Sequence, residues 1–187
     1  MRIKDKIKRP RRPVVVYEIL PPREKDGTLN SYAANISSLL SQTHIDAINI
    51  PEVRDEIGRG ERPVKSQRRA EPREFGKLLQ DIVGIESIVN RVVVHQALEK
   101  EMIWFEETYN KYEIENLITV GGESRSITYP GPSVKKALEA IKQNEKLNVL
   151  CGGISIPSRE KESLRLIEKS NNCLLYTSPS PRDATLS

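Results

Sequence analysis

From Val14 onward, short runs rich in β-branched residues alternate with stretches of helical period, and successive runs begin roughly 25 to 45 residues apart. No other feature limits the fold so sharply. Parallel strands cannot be joined by tight turns and need crossovers of about a dozen residues or more, normally helices. The strand runs are Val14–Leu20, Asp46–Ile50, Arg91–Gln96, Asn116–Val120 and Leu147–Gly152. Between them, Thr28 is placed to cap a helix with Tyr32, Ile36, Leu39 and Leu40 on one face. Pro72 sits at the first turn of a helix carrying Phe75, Leu78, Leu79 and Ile82. Further helices are expected over Glu101–Tyr112, Ser133–Asn144 and Ser158–Ser170.

Nearly apolar strands linked by helices imply a parallel sheet covered on both faces, so the fold class is α/β, either a barrel or a doubly wound sheet. The first strand exits through Tyr17-Glu18-Ile19-Leu20-Pro21-Pro22-Arg23, without the Gly-rich turn that lets a pyrophosphate approach a helix N-terminus. That favours a (β/α)8 TIM-type barrel, truncated after about five βα units. In such a barrel the working residues gather at the strand exits.

The chain has 187 residues, 37% hydrophobic and 30% charged, and no apolar run approaches the roughly 20 residues needed to cross a bilayer. With no secretory signal at its start, it is expected to be soluble, cytoplasmic and free of membrane contact. Cys151 and Cys173 offer neither a disulfide framework nor metal-ligand spacing, so free thiols and no metal are expected. The net charge of +4 is unevenly spread: residues 1–13 carry seven basic residues and one acid, +6, leaving −2 for the rest. This basic N-terminal arm is expected to be a solvated leader. Without interleaved aromatics it is poorly suited to single-stranded nucleic acid.

Residues 14–172 carry the partial barrel. The last fifteen residues, 173–187, break the helical pattern and resemble the translation of a transposase adapter, a scar expected to lie outside the fold. A natural Ser/Pro-rich disordered tail is the alternative.

Glu18 lies in an otherwise apolar strand, three residues before the double proline. A carboxyl largely withdrawn from water there is suited to act as a general acid; the alternative is a structural carboxylate paired with Arg23 or another base at the barrel top. His95 ends the third strand and should reach the mouth, as a catalytic or a satisfied structural histidine. The fourth strand exits into Gly121-Gly122-Glu123, where two glycines let backbone approach a ligand or simply form a turn. The loop from Pro51 to Glu71 holds Arg59, Arg62, Lys65, Arg68 and Arg69 against Glu61, and would attract phosphates or carboxylates if ordered. Gly152-Gly153 and Pro157-Ser158-Arg159 form a weaker ligand-approach loop after the fifth strand.

In chain order these features resemble the flavin-type methylenetetrahydrofolate reductase family, whose barrel opens with a strand of the form F-E-F-F-P-P-[KR]. The matching segment is Tyr17 to Arg23, followed by the strand ending in His95, Gly121-Gly122-Glu123 where the family has R-G-D, Tyr129, and Leu164-Arg165-Leu166-Ile167-Glu168-Lys169 for L-x-x-L-x-x-K. The resemblance implies hydride transfer from NAD(P)H, through FAD, to methylenetetrahydrofolate, giving methyltetrahydrofolate, as in one-carbon and methionine metabolism. It makes Glu18 the acid and places Glu123 where a negative charge stabilises a cationic iminium. It puts His95, Gly121, Gly122, Tyr129 and Lys169 at flavin-contact positions. Gly121 replaces an arginine, Glu123 is one methylene longer than the family's aspartate, and Gly152 and Ile156 stand where tyrosine and histidine are usual. A divergent barrel that uses another C1-pterin carrier or no flavin fits these departures, and a non-enzymatic protein binding nucleic acid through its arm is the third reading. The implied partners are a folate-type small molecule and a nicotinamide cofactor; a homo-oligomer of the full-length protein stays open.

Overall fold

A computed structural model describes residues 2–8, 12–53, 68–122, 127–155, 160–170 and 175–177; of residues 169, 170 and 175–177 it describes the backbone. Six strands, β1 (Val16–Glu18), β2 (Ala47–Ile50), β3 (Glu86–Val92), β4 (Asn116–Val120), β5 (Leu150–Ile154) and β6 (Leu175–Thr177), form one parallel sheet in chain order. The helices α2 (Leu29–Leu40), α3 (Pro72–Val83), α4 (Leu98–Asn110), α5 (Val134–Gln143) and α6 (Glu162–Ser170) lie between successive strands, and a short α1 (Ile3–Lys8) precedes β1. A doubly wound sheet reverses its strand order at a switch point, whereas a (β/α) barrel adds each strand beside the last. The order found is that of the barrel wall, as an open arc of a TIM-type α/β fold.

Local chemistry sets the helix ends. Thr28 Oγ1 accepts the Ser31 N–H at 3.2 Å and Ser133 Oγ that of Lys136 at 3.2 Å, each filling one of the unpaired donors of a first turn. Pro72 opens α3 as expected, with the Glu71 carboxylate accepting the Arg73 and Glu74 N–H groups. Gly84, at φ 71°, closes α3 in the left-handed conformation.

Register divides the sheet into two faces. Ile48 and Ile50 pack with Ala33, Leu40, Phe75 and Leu79 of α2 and α3, and Leu117 and Cys151 with Phe105, Leu138 and Ile141 of α4 and α5. The alternate residues Ala47, Ile88, Ile118 and Leu150 form a separate cluster on the inner face, with Ile3 of α1 packed among them. Three expectations are corrected here. First, the third strand runs Glu86–Val92 rather than Arg91–Gln96, because the sheet buries polar residues here: Ser87 Oγ donates to the Gly76 carbonyl at 2.9 Å, Arg91 pairs with Glu101, and Asn90 is buried between them. Apolar content therefore pointed too far along the chain.

Second, the N-terminal arm is not a solvated leader. Ile3 is 1% exposed, and its N–H donates to Glu86 Oε2 at 2.6 Å. Arg2 pairs with Glu115, and Lys6 and Arg12 reach Asp46 at 2.9 and 2.8 Å. These three acids stand at the N-terminal ends of β4, β3 and β2, so α1 closes the floor of the arc. Third, part of the C-terminal segment enters the fold, since Leu175–Thr177 pairs with β5 through Gly152, Gly153 and Ile154. A run of Leu, Tyr and Thr has the apolar, aromatic and β-branched character a strand needs.

Candidate functional site

Glu18 is the last residue of β1, and the ladder sets it beside Asn49 of β2, which stands beside Ile88 of β3. Asn49 alternates with Ile48 and Ile50, whose side chains meet the helices, so it faces the interior. Its Nδ2 donates to Glu18 Oε2 at 3.1 Å. The carboxylate is therefore held on the inner face at a strand exit, where the sequence placed it. It is half-buried rather than largely withdrawn from water, because β1 is an edge strand with one neighbour among the described residues. The guanidinium of Arg23, its suggested partner, is bonded to Asp26 at 3.1 Å through both Nε and Nη2. Two strand positions later than Ile88, Asn90 faces inward as well. The Oδ1 atoms of Asn49 and Asn90 are both buried with no hydrogen-bond partner among the described residues, and each residue is 7% exposed.

A second group gathers at the mouth. His95 does not end β3; it closes a one-turn 3-10 helix, Val93–His95, just beyond it. The rings of His95 and Tyr129 meet edge to face with centroids 5.5 Å apart. They are brought together by the loop before α5, which folds back so that the Gly131 N–H donates to the Val94 carbonyl at 2.8 Å. A side chain at Gly131 would meet the Gln96 carbonyl oxygen at 2.5 Å. A Cβ on Gly122 would coincide with the Tyr129 ring, so this glycine makes room for the protein's own aromatic residue. Gly121 has ordinary space, its nearest neighbour being Val134 Cγ2 at 3.5 Å. His95, Gly122 and Tyr129 are thus assembled as one cluster. Glu123, Ile156 and the core of the basic loop, 54–67, lie outside the described residues, and Lys169 is described only by its backbone in α6.

Two groups that the resemblance implies for holding a flavin are lacking, since glycine stands at 121 and 152 in place of arginine and tyrosine, and Tyr129 lies against Gly122. No metal-binding cluster of His, Cys, Asp or Glu occurs among the described residues, and no helix there is long and apolar enough to cross a membrane.

Behind the mouth lies an ionic group that the sequence reading passed over. Arg91, 4% exposed, donates in bidentate fashion to Glu101 at 2.8 and 3.0 Å, and through Nη1 to Glu52 at 2.9 Å. Glu52 also accepts the Val92 N–H at 2.8 Å, tying the exit of β2 to the end of β3. Trp104 carries the guanidinium of Arg73 at 4.6 Å and that of Arg91 at 4.8 Å. This network fixes the backbone from which the His95 turn departs. An Arg within a valine-rich strand, ten residues before a helical Glu, was the signal available for it.

A parallel sheet in chain order, with helices on its outer face and a carboxylate, two amides and a histidine–tyrosine pair at or just below the strand exits, defines a TIM-type α/β barrel with its candidate site at the C-terminal end. Among solved structures, an uncharacterized protein from Clostridium thermocellum that binds two copies of 5-methyl-5,6,7,8-tetrahydrofolic acid matches with TM-score 0.68 and 19% identity, over 98% of this chain and 60% of that one. Dihydrodipicolinate synthase from Aquifex aeolicus matches with TM-score 0.51 and 12% identity, over 90% of this chain and 55% of that one. At these identities the likeness is one of fold, and the chain spans 60% or less of the length of either structure. No protein-family model matches the chain, and no curated protein matches it.

Proposed function

We propose that this chain forms the first wall of a reductase barrel that binds a reduced folate at its mouth and uses Glu18 as the acid. The observation that carries this reading is the Glu18–Asn49 pair, which holds a carboxyl on the inner face at the exit of β1. The folate-binding neighbour supports the substrate class through its fold, and the resemblance of Tyr17 to Arg23 supports the reaction.

The chemistry then follows from the substrate. The five-membered ring of methylenetetrahydrofolate must open before its carbon can accept hydride. Glu18 delivers a proton to the departing ring nitrogen, the C–N bond breaks, and the carbon is left as an iminium. Hydride from NAD(P)H adds to that carbon, yielding the methyl group and the oxidised nicotinamide, and Glu18 regains its proton from water. Glu123 is assigned the electrostatic support of the cation. Because Gly121 and Gly152 stand where the resemblance implies an arginine and a tyrosine, hydride is taken to pass directly from the nicotinamide, and no step is routed through a flavin.

The test uses the full-length protein carrying this sequence. Colourless protein that oxidises NAD(P)H only when methylenetetrahydrofolate is present is the expected result. Yellow protein that bleaches with NAD(P)H alone would restore the flavin route and overturn the direct one. Glu18→Gln should lower folate turnover by about a hundredfold or more, the scale of general-acid catalysis. Turnover unchanged by that substitution would remove Glu18 from the mechanism.

A further inference from the structure

A buried amide oxygen without a donor is costly, and native folds keep few of them. Here two occur on adjacent strands of the same inner face, Asn49 Oδ1 and Asn90 Oδ1, beneath the strand exits. Neither is explained by packing alone. The orientation of Asn49 is set by chemistry: its NH₂ must face the Glu18 carboxylate, which turns its oxygen the other way. The terminal torsion of asparagine is soft, so a small rotation presents each oxygen to a molecule in the lumen.

We propose that Asn49 and Asn90 are specificity-determining residues of this site, offering two carbonyl acceptors to a planar heterocycle that carries adjacent N–H donors, the aminopyrimidinone edge of a reduced pterin. The inference rests on the folate reading and assigns residues that the resemblance does not. It also couples binding to chemistry. The amide that receives the ring through its oxygen steadies Glu18 through its nitrogen, so a ligand lacking those donors would leave the acid less well placed.

The experiment measures binding of 5-methyltetrahydrofolate to the full-length protein by fluorescence titration, with thermal melts run alongside. Asn90→Leu, close in size but without the acceptor, should weaken binding about tenfold, the worth of one hydrogen bond to a buried group, without lowering Tm. Asn90→Asp, which keeps an acceptor, should bind within about threefold of the parent. Should Asn90→Leu fail to fold, the parent protein decides the matter with a 2-desamino analogue, which should bind about tenfold more weakly. Equal binding of the analogue, or parent-like affinity in a folded Asn90→Leu, would overturn the assignment and leave the folate reading standing. No binding of 5-methyltetrahydrofolate by the parent would overturn the folate reading and this inference with it.

Discussion

Single atoms decide much of the mouth. Adding one methyl group at Gly122 would drive it into the Tyr129 ring and break the edge-to-face contact with His95. Gly122→Ala in the full-length protein is therefore expected to cost about 1 to 3 kcal/mol, as overpacking does. Adding Tyr129→Ala should recover part of that loss, and strict additivity in denaturant unfolding would show that the two residues do not share space. The residues expected to contact a ligand were found by their position after strands, and Glu18 was legible because a charge inside an apolar run is conspicuous. Asn49 and Asn90 were not. An uncharged amide between two isoleucines, as at Asn49, or between Val89 and Arg91, as at Asn90, draws no notice until register shows which face it occupies. Gly122 was visible as a glycine, but not the reason for it, since Tyr129 is seven residues away and only folding brings the two together.

At the scale of elements, the sequence showed the alternation of strand and helix and the caps at Thr28 and Pro72, whereas β3 was placed too late because Glu86, Ser87, Asn90 and Arg91 hide a strand behind polar side chains. The larger departure is α1: the basic excess of residues 1–13 reads as a solvated leader, because its partners Asp46, Glu86 and Glu115 are remote in sequence and each looks like an ordinary surface acid. Asp46 holds its proton much less tightly than a free carboxyl, first because it accepts the Val15 N–H, then because of Lys6 and Arg12, with its own burial opposing them. A carboxyl lowered in the folded state contributes stability above its unfolded pKa of about 4 and loses it as pH falls further. Melts of the full-length protein should therefore show Asp46→Asn less stable than the parent near neutrality, with the gap closing below about pH 4. Parallel curves down to the lowest pH measured would show that the Asp46 charge does not anchor α1. The same pairing leaves Lys6 and Arg12 committed to the protein's own sheet, and this counts against the arm as a nucleic-acid ligand.

For the whole molecule, strand order settles the barrel type, and it was legible because a parallel sheet without a nucleotide-type first turn has few other solutions. An open arc carries a consequence of its own. β1 pairs only with β2 among the described strands, and Val16 and Tyr17 along it, with Val15 just before it, are 41%, 54% and 42% exposed. Such an edge is a template for another chain. Residues 1–187 alone are expected to self-associate, read by light scattering as mass rising with concentration, whereas a monomer with one sharp unfolding transition would refute this. The helix at the floor also bears on how the chain is made. Arg2 meets Glu115, 113 positions away, and Ile3 rests among side chains that include Leu150, so α1, made well before these partners, has nowhere to dock until most of the wall exists. Its contacts are among the most distant in sequence that the fold contains, the kind that slow folding and leave apolar surface uncovered meanwhile. An element made before its partners is thus secured only after them, and the floor becomes a checkpoint on the wall above it.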